Sequence, residues 1–174
     1  QGGQIAAFAL DALDGSDGFR LEGSSSYSDF GDFVSEAGDF NGDGFEDFIV
    51  GAPNTNVGGV LEAGEAFIVF GAGAGFNPEI IVPNLDGSDG FRFVSEVFYD
   101  RVGTTVGAAG DVNGDGFADV VIGGSGGSYN AGQSYVLFAP AQPLPVHLTR
   151  TSLPRTNPFT TLGTTNPDRA GRPV

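Results

Sequence analysis

The chain has 174 residues and carries 22 acidic against 7 basic side chains, a formal charge of -15. So acidic a body excludes nucleic acid and anionic membrane surfaces as partners held by charge. The absence of cysteine removes disulfides, thiolate metal ligands and cysteine nucleophiles. The length suits one ordinary domain with a tail. No run approaches the roughly 18 apolar residues that membrane insertion needs, and in a secreted protein Gln1 would be a processed start.

Thirty glycines beside 16 phenylalanines and a 40% hydrophobic fraction point to short strands joined by tight turns around an aromatic core, an all-β protein. In chain order, L-D-G-S-D-G-F-R at 13–20 reads as a turn, followed by strands at 30–37 and, after the loop 39–47, at 47–50. Strands at 66–70 and 79–82 complete the first half. The octapeptide returns at 85–92, and strands follow at 102–109, 119–122 and 134–138. Runs such as F-I-V, V-V-I and A-F-I-V-F are continuously apolar, as in small sheets buried on both faces and stacked on one another.

The halves are copies. Residues 14–51 and 86–123 align without gaps at an offset of 72, with 20 identities in 38 positions, so one structural unit is duplicated. From 64 onward the offset is 68, where G-E-A-F-I-V-F-G meets G-Q-S-Y-V-L-F-A at 132; the four-residue difference falls in an exposed loop.

Each copy holds the nine-residue element D-x-N-G-D-G-x-x-D, at 39–47 and 111–119. Oxygen donors at its positions 1, 3, 5 and 9, with a carbonyl at 7, can converge on one hard cation, and the glycines permit the tight turn. The expected ligands are Asp39, Asn41, Asp43, the carbonyl of Phe45 and Asp47 in one loop. Asp111, Asn113, Asp115, the carbonyl of Phe117 and Asp119 serve in the other. Two Ca²⁺ ions that brace the fold are the natural occupants, Mg²⁺ fitting less well. An EF-hand would need a bidentate Glu at position 12, where Val50 and Ile122 stand. Asp14, Asp17, Asp86 and Asp89 read as turn formers, with Arg20 and Arg92 placed to pair with them.

The stretch F-G-D-F-V-S-E-A-G-D-F-N-G-D-G-F-E-D-F-I-V-G-A-P at 30–53 resembles an FG-GAP repeat, the blade unit of integrin α-chain N-terminal β-propellers and of many bacterial extracellular proteins. Its signatures are Phe30 and Gly31, then Gly51, Ala52 and Pro53. The second copy departs from it with Val102 and Gly103, then Gly123, Gly124 and Ser125, while keeping every metal position. The resemblance implies a four-stranded antiparallel blade per copy, Ca²⁺ in a hairpin loop of each, and an extracellular setting. It does not extend to the integrin ligand site, for which no residues match.

The expected organisation is a first FG-GAP blade at 1–71, a second at 72–139 and an extended tail at 140–174. The tail holds seven of the ten prolines and seven threonines, lacks the repeat, and carries +3 against -18 for the rest. Two blades cannot close a ring, so their outer faces need cover. The expectation is a calcium-binding extracellular structural protein that self-assembles into a homo-oligomer or filament, with adhesion as its service. Residues 146–153 of the basic tail would add a strand to a neighbour. The alternatives are a fragment of a larger integrin-like propeller that binds ligand, and an accessory domain of an enzyme. The chain itself reads as no enzyme. Its one histidine, His147, has no local nucleophile or carboxylate, and no G-x-S-x-G element occurs. Ser24 to Ser26 and the tail threonines offer sites for O-linked sugar, and no N-linked sequon is present.

Overall fold

The computed structural model describes residues 9–23, 25–127, 131–139, 147–149 and 161–162. Ser24 and most of the tail, with most of its threonines, lie outside the described residues. Among the described residues helix is limited to 3-10 turns at Leu10–Ala12 and Val82–Asn84. The strands are β1 (Arg20–Glu22), β2 (Val34–Gly38), β3 (Asp47–Ala52), β4 (Glu65–Val69), β5 (Glu79–Ile81) and β6 (Gly90–Val94) in the first part of the chain. β7 (Val102–Gly110), β8 (Asp119–Gly124), β9 (Gln133–Leu137), β10 (His147–Thr149) and β11 (Thr161–Leu162) follow. The expected all-β architecture is thus the one observed.

β2, β3, β4 and β6 form an antiparallel sheet, with β10 added parallel to β6. β7, β8, β9 and β11 form the second sheet, also antiparallel. Sheet membership therefore does not follow a division at 71 and 72, because the fourth strand of the first sheet comes from 90–94. Residues 85–92 are half turn and half strand. Asp86 accepts bonds from the backbone N–H and hydroxyl of Ser88, at 2.9 and 2.6 Å, and the strand begins at the last glycine of that turn. β2 starts later than expected, at Val34, because the Gly31 N–H donates to the Gly51 carbonyl (3.1 Å) and holds the preceding residues in a turn.

The tail, read above as free of the repeat, carries its register. β10 lies on β6 as β5 lies on β1: His147 faces Arg92 and Glu79 faces Arg20, positions offset by 68 and 72. Likewise β11 lies on β9 as β6 lies on β4, with Thr161 facing Ser134 where Phe93 faces Ala66. The offset of 68 also matches Leu153 with Leu85 and Phe159 with Phe91 in sequence. Two shared apolar positions in a proline-rich stretch are too few for the repeat to be seen without the pairing. The segment expected to join a neighbour's edge thus pairs, at 147–149, with this chain's own first sheet.

The two sheets stack through one apolar layer: Ile49, Ile68, Phe91 and Phe93 of the first meet Val120, Ile122, Tyr135 and Leu137 of the second. Phe93 and Tyr135 lie 5.2 Å apart, ring centre to ring centre. The other face of the first sheet is covered from within the chain by Leu21, Phe30, Ile80, Val82 and Leu85. The backbones of the two sheets approach closely at Gly51 and Gly103. A Cβ on Gly51 would overlap the Gly103 carbonyl and one on Gly103 the Glu65 carbonyl of β4, so both positions require glycine.

Candidate metal centre

The two candidate loops join β2 to β3 and β7 to β8, at the same end of each sheet. Each is built by side-chain oxygens that accept from its own backbone. In the first, Asn41 Oδ1 accepts from the Asp43 N–H (2.9 Å), Asp43 Oδ1 from the Phe45 N–H (2.9 Å), and Asp39 Oδ2 from the Gly44 N–H (3.0 Å). The second repeats this: Asn113 Oδ1 to Asp115 N–H (2.9 Å), Asp115 Oδ1 to Phe117 N–H (3.0 Å), and Asp111 Oδ2 to Gly116 N–H (2.9 Å).

The last aspartates differ from the rest in being buried. Asp47 accepts from Phe40 (2.9 Å) and Asn41 (3.2 Å) on one oxygen and from Gly71, just past β4, on the other (2.7 Å). Asp119 does the same with Val112 (2.8 Å) and Ala139 (3.0 Å). Each therefore ties its loop to the end of the third strand of its sheet. Burial raises the Asp47 carboxyl above its ordinary range, against the lowering effect of those three N–H groups. The anchoring partners Gly71 and Ala139 carry no motif and could not be read from the sequence.

All ten expected site residues are thus brought into two equivalent loops, but their carboxylates point at backbone N–H groups and do not share one shell. Among the described residues no three acidic or histidine side chains stand close enough to hold an ion as placed. The first loop keeps one open position, since Asp39 Oδ1 is buried and has no hydrogen-bond partner. An unpartnered carboxylate oxygen of that kind, in a loop that also carries Asn41 and Asp43, suits a hard cation. The Asp111 carboxylate is fully engaged, its second oxygen accepting from Gly114 (2.7 Å) and Asp115 (3.0 Å).

A family model described as FG-GAP repeat matches residues 35–69 and 102–137, the two hairpins and third strands just described. The chain carries two FG-GAP repeats. Integrin alpha-4 of Xenopus laevis is 36% identical over 104 residues, 60% of this chain and 9% of the relative. Integrin alpha-5 of the same species is 30% identical over 124 residues, 68% of this chain and 11% of the relative. The chain thus spans about a tenth of the length of these curated relatives. The FG-GAP signature has a physical meaning here: the glycine of the second repeat's opening pair, Gly103, docks on the G-A-P glycine of the first, Gly51. The D-G-S-D-G element lies outside the matched segments and forms turns, as expected. Its arginines, however, pair elsewhere: Arg20 with Glu79 and Glu22, Arg92 with the buried Glu65 at 3.3 Å. Glu65 and its counterpart Gln133, which donates to Asp100 at 3.3 Å, were not singled out in the sequence because a single polar residue in an apolar strand gives no pattern.

Proposed function

We propose that this chain is part of an extracellular FG-GAP β-propeller serving adhesion, with Ca²⁺ bracing one end of its blades and loops at the other end meeting a ligand. The unequal burial of equivalent faces carries the reading. Ile49 and Ile68, on the face of the first sheet turned to the second, are 0% and 1% exposed. Their counterparts Val121 and Val136, on the far face of the second sheet, are only half-buried. A third sheet stacked there would bury them as the second buries the first. On the opposite side Gly31 has the dihedral of Gly103 (φ 92° against 91°), yet, its two chain neighbours aside, no described residue lies within 4 Å of where its Cβ would stand.

The two FG-GAP loops would hold one Ca²⁺ each, through Asp39, Asn41, Asp43, the Phe45 carbonyl and Asp47, and through Asp111, Asn113, Asp115, the Phe117 carbonyl and Asp119. The cation would neutralise carboxylates crowded at one sheet end. At the other end Tyr27, 92% exposed and left-handed at φ 66°, borders a shallow depression of about 360 Å³ with Asn54, Asn56, Leu61 and Glu62. Tyr99, its repeat counterpart, is likewise exposed and left-handed at φ 58°. Strained, exposed aromatics at one end of both repeats suit a binding surface. Self-assembly of copies is a second reading, favoured by the short β11.

The test compares Val121→Asp with Ile49→Asp by urea denaturation. The expected result is near-normal stability for the first and an unfolded chain for the second. Equal unfolding would mean that the far face is already covered and the stack closed. For adhesion, cells should attach to surfaces coated with the chain in Ca²⁺, and attachment should fall on chelation or with Tyr27→Ala. Attachment no better than to albumin would refute that part.

A further inference from the structure

The second sheet takes its fourth strand from the divergent end of the repeat, and the match is poor. In the first sheet β6 runs five residues along β4. Phe91 and Phe93 are fully buried, and Gly90 enters the strand at φ 149°, where a Cβ would overlap the Ile68 carbonyl. The counterparts at the offset of 68 are Phe159, Thr161 and Pro158. A threonine has much less apolar surface to bury than a phenylalanine. A proline, its ring holding φ near about -65°, is excluded from Gly90's conformation. β11 pairs with β9 over two residues, Thr161 with Ser134 and Leu162 with Gln133.

A better sequence for that place lies elsewhere in the same chain. Residues 13–20 repeat 85–92 without a change, and Gly18 already holds φ 152°. Here the segment closes no antiparallel sheet; it runs as β1 parallel to β5, with Phe19 stacked on Phe76 at 4.2 Å and Leu21 packed over the first sheet, contacts that an exchanging copy gives up. We propose that the outer edge of β9 is a strand-exchange site, at which residues 13–22 of a second copy of this chain displace β11 and complete the second sheet. This goes beyond the propeller reading, since it concerns the edge of a sheet and not its face.

The register follows from β6 on β4. Phe19 lies opposite Val136, Arg20 opposite Tyr135, Leu21 opposite Ser134 and Glu22 opposite Gln133, as Phe91, Arg92, Phe93 and Val94 lie opposite Ile68, Phe67, Ala66 and Glu65. One contact is not reproduced. Arg92 reaches the Glu65 carboxylate, but the counterpart Gln133 is an amide already engaged with Asp100 (3.3 Å) and with the Tyr135 hydroxyl (2.9 Å). Binding in the second sheet therefore rests on backbone pairing and on the apolar positions 19 and 21, which lie on the far face beside the half-buried Val136 and not in the layer between the sheets.

The probe is a fluorescein-labelled peptide of residues 12–23, titrated into the full chain and followed by anisotropy. Saturable one-to-one binding is expected, weakened at least ten-fold when positions 19 and 21 of the peptide are both serine and changed less than two-fold by Arg20→Ala in the peptide. Thr161→Phe in the full chain restores the apolar residue to the resident strand and should weaken peptide binding at least ten-fold. Because the chain has no cysteine, Ser134→Cys in the chain can trap a Leu21→Cys peptide as a disulfide, and a Phe19→Cys peptide should not be trapped there. Failure of the unmodified peptide to saturate, equal binding to the Thr161→Phe chain, or trapping in the wrong register would each overturn the proposal. The stacking of a third sheet is judged on Val121, so the two ideas fail separately.

Discussion

Replacing Asp43 and Asp115 together by alanine separates what the loops do for a cation from what they do for the fold. Both residues are exposed, and their carboxylates accept from Phe45 and Phe117 at the loop surface. Without a cation the double variant should lose less than about 1 kcal/mol, the usual cost of a surface change away from the core. With Ca²⁺ the difference is large. A site held at a hundred times its dissociation constant stabilises by about 2.7 kcal/mol, so two sites give about 5 kcal/mol, or roughly 10–20 °C in melting temperature for a chain of this length. Asp47 is the opposite case. It is 2% exposed and satisfies the N–H groups of Phe40, Asn41 and Gly71. At roughly 1–3 kcal/mol for each stranded donor, less what water recovers, Asp47→Ala should cost about 3–6 kcal/mol with or without the cation. The assay is thermal unfolding in Ca²⁺ and in chelator, with titration calorimetry for stoichiometry. A double variant that keeps the Ca²⁺-dependent shift would refute the assignment of the ligands. An Asp47→Ala chain that melts normally in chelator would refute the structural role of the last aspartate.

Other outcomes follow from single contacts. Burial raises the Glu65 carboxyl above its ordinary value of 4.5, Arg92 opposing this, and its Oε2 has no hydrogen-bond partner. With a raised folded value, the stabilising contribution is present below the unfolded value and lost as pH rises through the folded one, so the ionised group is a cost at neutral pH. Glu65→Gln, which places the second repeat's residue in the first, should stabilise the chain by about 1 kcal/mol at pH 7 and by nothing below about pH 4, as read from urea midpoints at the two pH values. Gly103→Ala forces a Cβ against the Glu65 carbonyl at a left-handed φ of 91°. It should cost roughly 2–4 kcal/mol in urea unfolding and loosen the contact between the sheets. Ile49→Ala should cost about 2–5 kcal/mol in the same assay, while Val121→Ala costs under about 1 kcal/mol.

Much of the site was legible because metal-loop chemistry is local. Nine consecutive residues supply the oxygens, the turn and its tightness, and the same D-x-N-G-D-G-x-x-D pattern occurs twice. The anchors Gly71 and Ala139 were not legible, since any residue with a backbone N–H can donate to Asp47 or Asp119. The strand at 90–94 was hidden by the stronger turn signal just before it. The strand at 147–149 was legible within 146–153, but its partner was not, and the one at 161–162 was hidden in a stretch of prolines and threonines that keeps the register of the repeat while losing its composition.

By itself the sequence determined the all-β class, the duplication and the two loops, because apolar runs, turn residues and loop ligands act between near neighbours in the chain, and the duplication shows as identical residues at a fixed offset. Only the tertiary structure decided which sheet each strand joins. β6 crosses from the second copy's segment into the first sheet, and a strand edge accepts any backbone of the right register. The same holds for the meaning of the signature glycines: Gly51 and Gly103 are fifty-two positions apart in sequence, and only the stacking of the sheets brings their backbones into contact.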